Sequence, residues 1–390
     1  MYICHAINQV INISTSLNKC TIYEINTAIY LIQKGGCAFM IKNKAINLYR
    51  QTNIYRTFMK KNLKSSVNKG ISKKINFSRK GFLSESAIIY NFTKNDPKEY
   101  LSDIQRLNTR YLNSPYSFIL DEKLVFESMY KQHITIPKNI SLIEKGKFLC
   151  LENEEKIDSA LKILNYLDKH NACVIKPIRN GGGYGIFVLK KIKEEYYLNE
   201  KQVDEKELEK VISKLHNYVV NEFVGQSNFS KEFYPKTTNT IRILTMIDPV
   251  TNKPFIPIAV QRMGNLTSIP ADNWTQGGLS AAIDLNSGEL GEGVTYPKNG
   301  KLEWYSEHPE TKSKIKGKIV PHWHEIKESI LNAASLYPYI KYVGWDIVIT
   351  DDGFSVLEGN NFSDVNLLQV HRPLLSDERV SKFYKYHGII

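Results

Sequence analysis

From about residue 115 the chain alternates between two hydrophobic periods. In "DEKLVFESMYKQHI" Leu124, Phe126, Met129 and Tyr130 fall at helical spacing, and Pro137 ends the stretch. "DSALKILNYLDKH" predicts an amphipathic helix with Asp158 as its N-cap. "ACVIKPI" reads as a buried strand, and "YGIFVLKKI" as its hairpin partner. "DEKELEKVISKLHNY" predicts a further helix, followed by the strand "YVVNEFV". "TIRILTMI" and "FIPIAVQRM" pair around the turn "DPVTNK", and "KYVGWDIVIT" and "FSVLEGN" around "DDG". Hairpins dominate and helices interleave with them. That pattern predicts an α+β architecture and argues against a doubly wound parallel sheet.

The upstream part is different. Residues 1–40 are rich in Ile, Asn and Thr and show no period, and Met40 and Met59 stand as alternative starts. They are expected to form a poorly defined extension. Residues 41–100 are expected to be a basic, mostly helical or linker region, and residues 101–390 the main domain. The net charge of +12 has one origin. Residues 41–80 carry twelve Lys and Arg and no acid, and the remaining 40 basic residues match the 40 acidic ones. Such a block is either a solvated linker or a docking surface for an anionic partner. The expected partner is the inner face of an anionic membrane, touched peripherally, rather than nucleic acid.

The rest of the composition is that of a soluble globular chain, with 42% hydrophobic and 24% charged residues. No run of 18 apolar residues predicts a transmembrane helix. No basic start followed by an apolar core predicts a signal peptide, so the expected location is cytoplasmic. Cys4, Cys20, Cys37, Cys150 and Cys173 are scattered, with no C-x-x-C pair, and read as reduced thiols.

The C-terminal hairpin carries the most chemistry. With a three-residue loop of Asp351, Asp352 and Gly353, Thr350 pairs with Phe354 and Asp346 faces Glu358. Asn360 then lies on the same face, while Trp345, Ile347 and Ile349 form an apolar opposite face. Two opposed carboxylates destabilise a sheet unless something neutralises them. Asp, Glu and Asn oxygens suit Mg²⁺, which takes one or two carboxylates and completes its shell with phosphate and water. A two-residue loop would shift the register and part the two acids.

A second feature is "VIKPIRNGGGYGIFVLK", residues 174–190, where three glycines interrupt two apolar strands. A glycine loop lets backbone N–H groups approach something bulky and anionic. Alone it is equally a flexible turn. No G-x-x-x-x-G-K-[ST] sequence occurs, so the loop is not a P-loop.

In order and spacing these motifs resemble the ATP-grasp superfamily, and its sugar-transfer-associated branch in particular, over roughly residues 100–385. "DEKLVF" resembles the opening helix, and "VIKPIRNGGGYGIFVL" the strand, loop and strand that close over triphosphate. "VVNEFVGQ" resembles the adenine hinge. "NTIRI", "VQRM" and "DNWTQGGL" resemble the arginine pair and N-x-x-x-G-G element of peptide-forming members. "GWDIVI" and "LEGNN" resemble the metal strands, and "HPET" and "LLQVHRPLL" the sugar-transfer branch.

The resemblance implies an ATP-grasp fold, two α+β subdomains clasping ATP, with Mg²⁺ or Mn²⁺ as cofactor. It implies that Lys123 and Lys176 reach phosphate, and that Asn180, Gly181, Gly182 and Gly183 cradle it, with Gly185 just beyond. Glu222, Phe223 and Val224 would bind adenine. Asp346, Glu358 and Asn360 would hold the metal. Arg242 and Arg262 would meet the γ-phosphate and acyl-phosphate oxygens. Asn273, with Gly277 and Gly278, would face the reacting carbonyl or else form a simple turn. His308 and His371 would line the acceptor site, whereas His322 and His324 read as structural or exposed.

The implied activity is an ATP-dependent carboxylate–amine ligase working through an acyl phosphate on small or sugar-linked substrates. An ATP-grasp kinase and a non-catalytic anion-binding protein are the competing readings.

Overall fold

The computed structural model describes residues 38–64, 71–151, 156–179, 184–297 and 300–390. The chain divides into two compact units at Lys64 and Ser65. In the first, one helix runs from Ala38 to Lys64. Its last turn carries Lys61 and Lys64, cations that complement the carbonyl end of the helix dipole. No helix among the described residues is long and apolar enough to cross a membrane.

The second unit is built on two seven-stranded sheets whose ladders are all antiparallel. The first contains β1 (Asn139–Glu144), β2 (Lys147–Cys150), β3 (Ala172–Pro177), β4 (Phe187–Ile192), β5 (Glu195–Leu198), β6 (Lys201–Gln202) and β7 (Tyr218–Glu222). Their order across the sheet is β2-β1-β7-β3-β4-β5-β6. The second contains β8 (Ile241–Ile247), β9 (Pro254–Met263), β10 (Leu279–Ile283), β11 (Leu290–Thr295), β12 (Trp304–Tyr305), β13 (Tyr342–Thr350) and β14 (Gly353–Asn360). Their order is β12-β11-β10-β9-β8-β13-β14. The three expected hairpins are β3–β4, β8–β9 and β13–β14.

One face of the first sheet is covered by two helices, Ala160–His170 and Glu205–Ile212. Ile163, Leu164 and Leu167 on one helix and Leu208 and Ile212 on the other meet Ile143, Ile175, Leu189 and Val220 of the strands. The cap of the first helix differs from expectation. Ser159, in extended backbone, accepts the Lys162 N–H at 3.3 Å and is the N-cap. Asp158 instead holds the Lys162 ammonium at 2.7 Å, one turn along.

The second sheet is covered on both faces. Ile241, Ile243, Trp345 and Ile347 pack against Trp323, Ile326 and Ile330 of the helix Trp323–Leu336 and against Phe126 and Tyr130. Leu244, Met246, Val260 and Tyr342 pack on the opposite side against Phe82, Tyr90, Tyr100, Val380, Phe383 and Tyr384. All seven residues of β8 are therefore buried, which is why "IRILTMI" is nearly continuous in apolar residues. Arg242 is the one formal charge in that strand. The presence of Phe82, Tyr90 and Tyr100 in this layer carries the packed unit upstream of residue 100.

Candidate functional site

A cleft of about 500 Å³ is lined by both sheets. Val174, Lys176 and Val188 come from the first sheet, Glu222, Phe223 and Val224 from the segment leaving β7, and Lys123 from the start of the helix Lys123–Tyr130. Arg242, Arg262, Asp346, Glu358 and Asn360 come from four strands of the second sheet, and Asn273 from the loop after β9. Eleven residues singled out in the sequence thus meet in one cavity. Asn180, Gly181, Gly182 and Gly183 lie outside the described residues.

The β13–β14 register corrects the expected hairpin. Thr350 pairs with Gly353, so the loop is Asp351 and Asp352 alone. That loop would have separated the two carboxylates, but the ladder shifts between Asp346 and Ile347. Ile347 pairs with Val356 and Asp346 with Glu358, leaving Leu357 as the extra residue of a bulge. The opposition of Asp346 and Glu358 is therefore real and depends on the bulge rather than on the loop length.

The charges that neutralise this pair are on the protein. Arg242 grips Asp346 with two hydrogen bonds, Nε to Oδ1 at 2.5 Å and Nη2 to Oδ2 at 2.8 Å. Arg262 adds Nη1 contacts at 3.3 Å to both oxygens. Its Nη2 sits 2.6 Å from Asp272, whose other oxygen accepts from the Thr240 N–H at 2.7 Å and hydroxyl at 2.6 Å. One buried and one mostly buried guanidinium thus balance two buried carboxylates.

Burial alone would push the Asp346 carboxyl up, but Arg242 and then Arg262 outweigh it and hold it below the usual range. Asp272 goes the other way. Burial raises it, and Arg262 and Thr240 only partly offset that. Glu358 faces Lys123 at 3.6 Å. Burial, and then the like charge of Lys123, bring Lys176 down to about 8.

Whether these residues fit a divalent cation follows from their donors. Among the described residues no cluster of three or more His, Cys, Asp or Glu could hold a metal. The candidate set is two carboxylates and one amide, all hard oxygen donors. Both Asp346 oxygens already face guanidinium groups, and Asn360 turns its Nδ2 to Asp346 at 3.3 Å and to the Gly344 carbonyl at 3.2 Å. The set fits an ion that arrives with phosphate and takes few protein ligands, and does not fit a closed all-protein cage.

The remaining candidates separate. The Asn273 Oδ1 accepts from the Thr275 N–H and hydroxyl at 3.1 and 3.0 Å, capping the short helical turn Trp274–Gln276. Gly277 follows at a φ of +114°, and a Cβ on Gly278 would lie 2.8 Å from the Asp272 and Met263 carbonyl oxygens. Asn273 thus caps a tight turn and also lines the cleft.

His308 and His371 are not in the lining. His308 is buried with Nε2 2.9 Å from the Gly264 carbonyl oxygen. His371 lies 3.0 Å from the Ser280 hydroxyl, and burial lowers it to about 3. His322 and His324 lie near Glu325 and Glu328 on the helix Trp323–Leu336, away from the cleft. The residue that the sequence reading passed over is Asp272, the immediate neighbour of Asn273. An aspartate after "SIPA" carries no spacing signal, and only the fold brings it to Arg262.

Two antiparallel sheets facing one charged cleft are the frame on which the family comparison bears. The profile of the sugar-transfer associated ATP-grasp family matches residues 104–381. The chain belongs to that family. The family's ATP-grasp fold accounts for both sheets, and the basic helical segment precedes the matched range.

No curated protein matches the chain. Among solved structures it is similar to the ATP-grasp ligase PsnB complexed with a minimal precursor, at 14% identity and TM-score 0.36, over 70% of this chain and 64% of that one. It is similar to D-alanyl-alanine synthetase A from Vibrio cholerae, at 10% identity and TM-score 0.37, over 69% and 61%. A third is the L-amino acid ligase from Bacillus licheniformis, at 11% identity and TM-score 0.33, over 63% and 42%. The family member described here thus spans less than two thirds of the length of each of these three structures. Likeness at this level says nothing of substrate.

Proposed function

We propose that this ATP-grasp protein is an ATP-dependent carboxylate–amine ligase acting on a sugar or polysaccharide precursor. The observation that carries the reading is the buried array of Arg242, Asp346, Arg262 and Asp272, which faces Lys176 and Lys123 in one cleft. Such an array is already desolvated and oriented, so it stabilises new negative charge without reorganising at the moment of reaction.

In the proposed reaction a substrate carboxylate oxygen attacks the γ-phosphorus of ATP, and ADP leaves. The amine nitrogen then attacks the acyl carbon, inorganic phosphate leaves, and the nitrogen gives up a proton. Glu222, Phe223 and Val224 hold adenine, and Lys176 and Lys123 neutralise phosphate oxygens. Asn180 and Gly181–Gly183 offer backbone N–H groups to the same triphosphate. Arg242 and Arg262 exchange part of their contact with Asp346 for phosphoryl and acyl-phosphate oxygens, for which a guanidinium fork has the right geometry. Asn273 holds the turn beside them. Asp346, Glu358 and Asn360 would hold Mg²⁺ or Mn²⁺, which supplies charge neutralisation to the phosphates.

The basic stretch 41–80 belongs to the same reading. The helix Ala38–Lys64 and the helix Ile71–Arg79 carry much of it. We assign it peripheral contact with an anionic inner membrane face, where lipid-linked sugar precursors would be reached. Salt-sensitive co-sedimentation with anionic liposomes is expected, and binding that ignores salt or lipid charge would remove the assignment.

The ligase is tested by hydroxylamine trapping with Mg-ATP and pooled amino, uronic and sugar acids, wild type beside Glu358→Gln. Hydroxamate from wild type alone is the expected result and names the acid. ADP without hydroxamate points to a kinase, and a chain that binds anions but never Mg-ATP is not an enzyme of this kind.

A further inference from the structure

The ligase reading leaves one pair of arginines without a task. The segment after Asn360 runs Asn361, Phe362, Ser363, Asp364, and both Phe362 and Asp364 line the cleft. Ser363 touches the reacting end directly, since its hydroxyl accepts from Arg242 Nη1 at 3.4 Å. Two guanidiniums lie over the Phe362 ring. The Arg106 carbon is 4.5 Å from the ring centroid, and the Arg110 carbon 4.6 Å.

The two differ in what else they hold. Arg106 is mostly buried, donates to the Ser363 carbonyl at 3.4 Å and faces Asp364 at 3.4 Å. Arg110 is exposed at the end of the helix Asp103–Thr109. Its guanidinium makes no hydrogen bond or ion pair with any described residue. Its charge is felt by Asp121, which also feels Arg179 and Lys123.

Arg110 is nevertheless fixed in place. The Asn361 Nδ2 donates to its carbonyl at 3.1 Å, so the backbone of Arg110 is tied to the segment that carries Phe362. A guanidinium stacked on an aromatic face keeps its N–H edge available and pre-oriented. Arg106 supplies a second guanidinium on the same ring, paired with Asp364 at 3.4 Å.

We propose that Arg110 and Arg106, stacked on Phe362, form a binding site for an anionic group, phosphate or carboxylate, on the substrate that shares the cleft with ATP. This rests on the ligase reading and narrows its substrate. The substrate would carry a second negative group besides the carboxylate that is activated. Neither arginine is in the cleft lining itself, but Phe362 and Asp364, which they contact, are, and that sets the second group at the edge of the cleft beside those two residues.

The test is calorimetric titration of the full chain, with and without saturating Mg-ADP. Three probes are used: glucuronic acid, glucuronic acid 1-phosphate and glucaric acid. Wild type is expected to bind the phosphate or the second carboxylate probe about tenfold or more tightly than glucuronic acid, the worth of one charge-assisted fork. Whichever of the two gains identifies the anion. Arg110→Ala should bring the probes to within about twofold of one another, and Arg110→Lys should recover part of the preference. Mg-ADP affinity should not move in either variant, which also reports that they fold.

Equal binding of the three probes by wild type, a preference that survives Arg110→Ala, or no probe binding beside intact Mg-ADP binding would each overturn the site. A wild type that fails to bind Mg-ADP overturns the ligase reading instead, and the anion preference is still read from the titrations without nucleotide.

Discussion

The two sheets bring different kinds of charge to the same cleft. The first offers Lys176 on β3, a partly buried cation that no salt bridge holds among the described residues and that burial brings down to about 8. The second offers Arg242, Arg262, Asp346 and Asp272, each nearly inaccessible and each already paired. The difference follows from coverage. Helices cover one face of the first sheet, whereas both faces of the second are buried, so a charge on the second must bring its partner along. A lysine that burial disfavours and no described acid pairs with is free to meet a ligand. A buried array costs much more, is rigid, and ties stability to the function it serves.

The sharpest way to break the comparison is to remove one cation from each sheet. Arg242→Ala leaves Asp346 buried beside a poorer partner and is expected to lower unfolding free energy by about 3–5 kcal/mol. Lys176→Met removes a charge that burial already disfavours, and should leave stability equal or higher while ATP affinity drops. Urea denaturation of both variants decides it. Comparable loss of stability in the two would show that the sheets do not divide the work in this way.

Asp272→Asn probes the same array from its far end. The amide can still accept from Thr240 but no longer balances Arg262, so the expected loss is smaller, about 1–3 kcal/mol. Because Asp272 acts through Arg262 in the proposed mechanism, acyl-phosphate formation should slow while the KM for ATP stays near its wild-type value. A rise in KM with unchanged kcat would mean that Asp272 acts on binding instead.

The pH dependence separates the sheets next. Lys176 faces Lys123 and Glu127 from the helix Lys123–Tyr130 and Glu358 from β14, and its folded value of about 8 lies below the ordinary 10.5. Between those values the unfolded chain holds the proton that the folded chain has lost, so this group's contribution to stability rises with pH across that window. Nucleotide affinity has the opposite sign, because phosphate prefers the charged lysine. Mg-ATP affinity is expected to fall about tenfold from pH 7 to pH 9, and Lys176→Arg should flatten the profile, since arginine does not titrate there. A profile unchanged in Lys176→Arg would assign the dependence to another group.

What could be read in the sequence follows the same division. Period and turn residues gave the hairpins β3–β4, β8–β9 and β13–β14, because each hairpin is local and its alternation survives in one dimension. The opposition of Asp346 and Glu358 was anticipated with the wrong loop. The bulge at Leu357 has no residue signature, since the extra residue is neither a glycine nor a proline. Neutralisation was assigned to a metal because the strands β8 and β9 could not be laid beside β13 from pattern alone. Only the sheet order places Arg242 opposite Asp346 in the ladder. Arg106 and Arg110 are illegible for the same reason, as each acts through a partner more than 250 residues away, whereas Asp272 lies only ten residues from Arg262 but across an irregular loop with no period to place it.

The smallest effect lies on the first sheet, where a local rule decided one residue wrongly. Asp and Ser are both good N-caps, so "DSALKIL" does not choose between Asp158 and Ser159 by residue type. Register chooses. The cap hydroxyl must reach the N–H three residues on, and Ser159 reaches Lys162 while its own backbone is extended at φ −151°. Asp158 stands one position too early and turns to the Lys162 side chain in solvent. Ser159→Ala is therefore expected to lower stability by about 1 kcal/mol, whereas Asp158→Ala should change it little. The helix packs on β3 and β4, the strands on either side of the glycine loop, through Ile163, Leu164 and Leu167. Fraying its first turn should loosen the frame beneath Lys176 without touching the second sheet. Hydrogen exchange should therefore quicken at the amides of 160–163 in Ser159→Ala and stay unchanged in β8 and β13. Faster exchange in β8 as well would mean that the two sheets unfold as one cooperative unit, and that their different charges do not reflect independent stability.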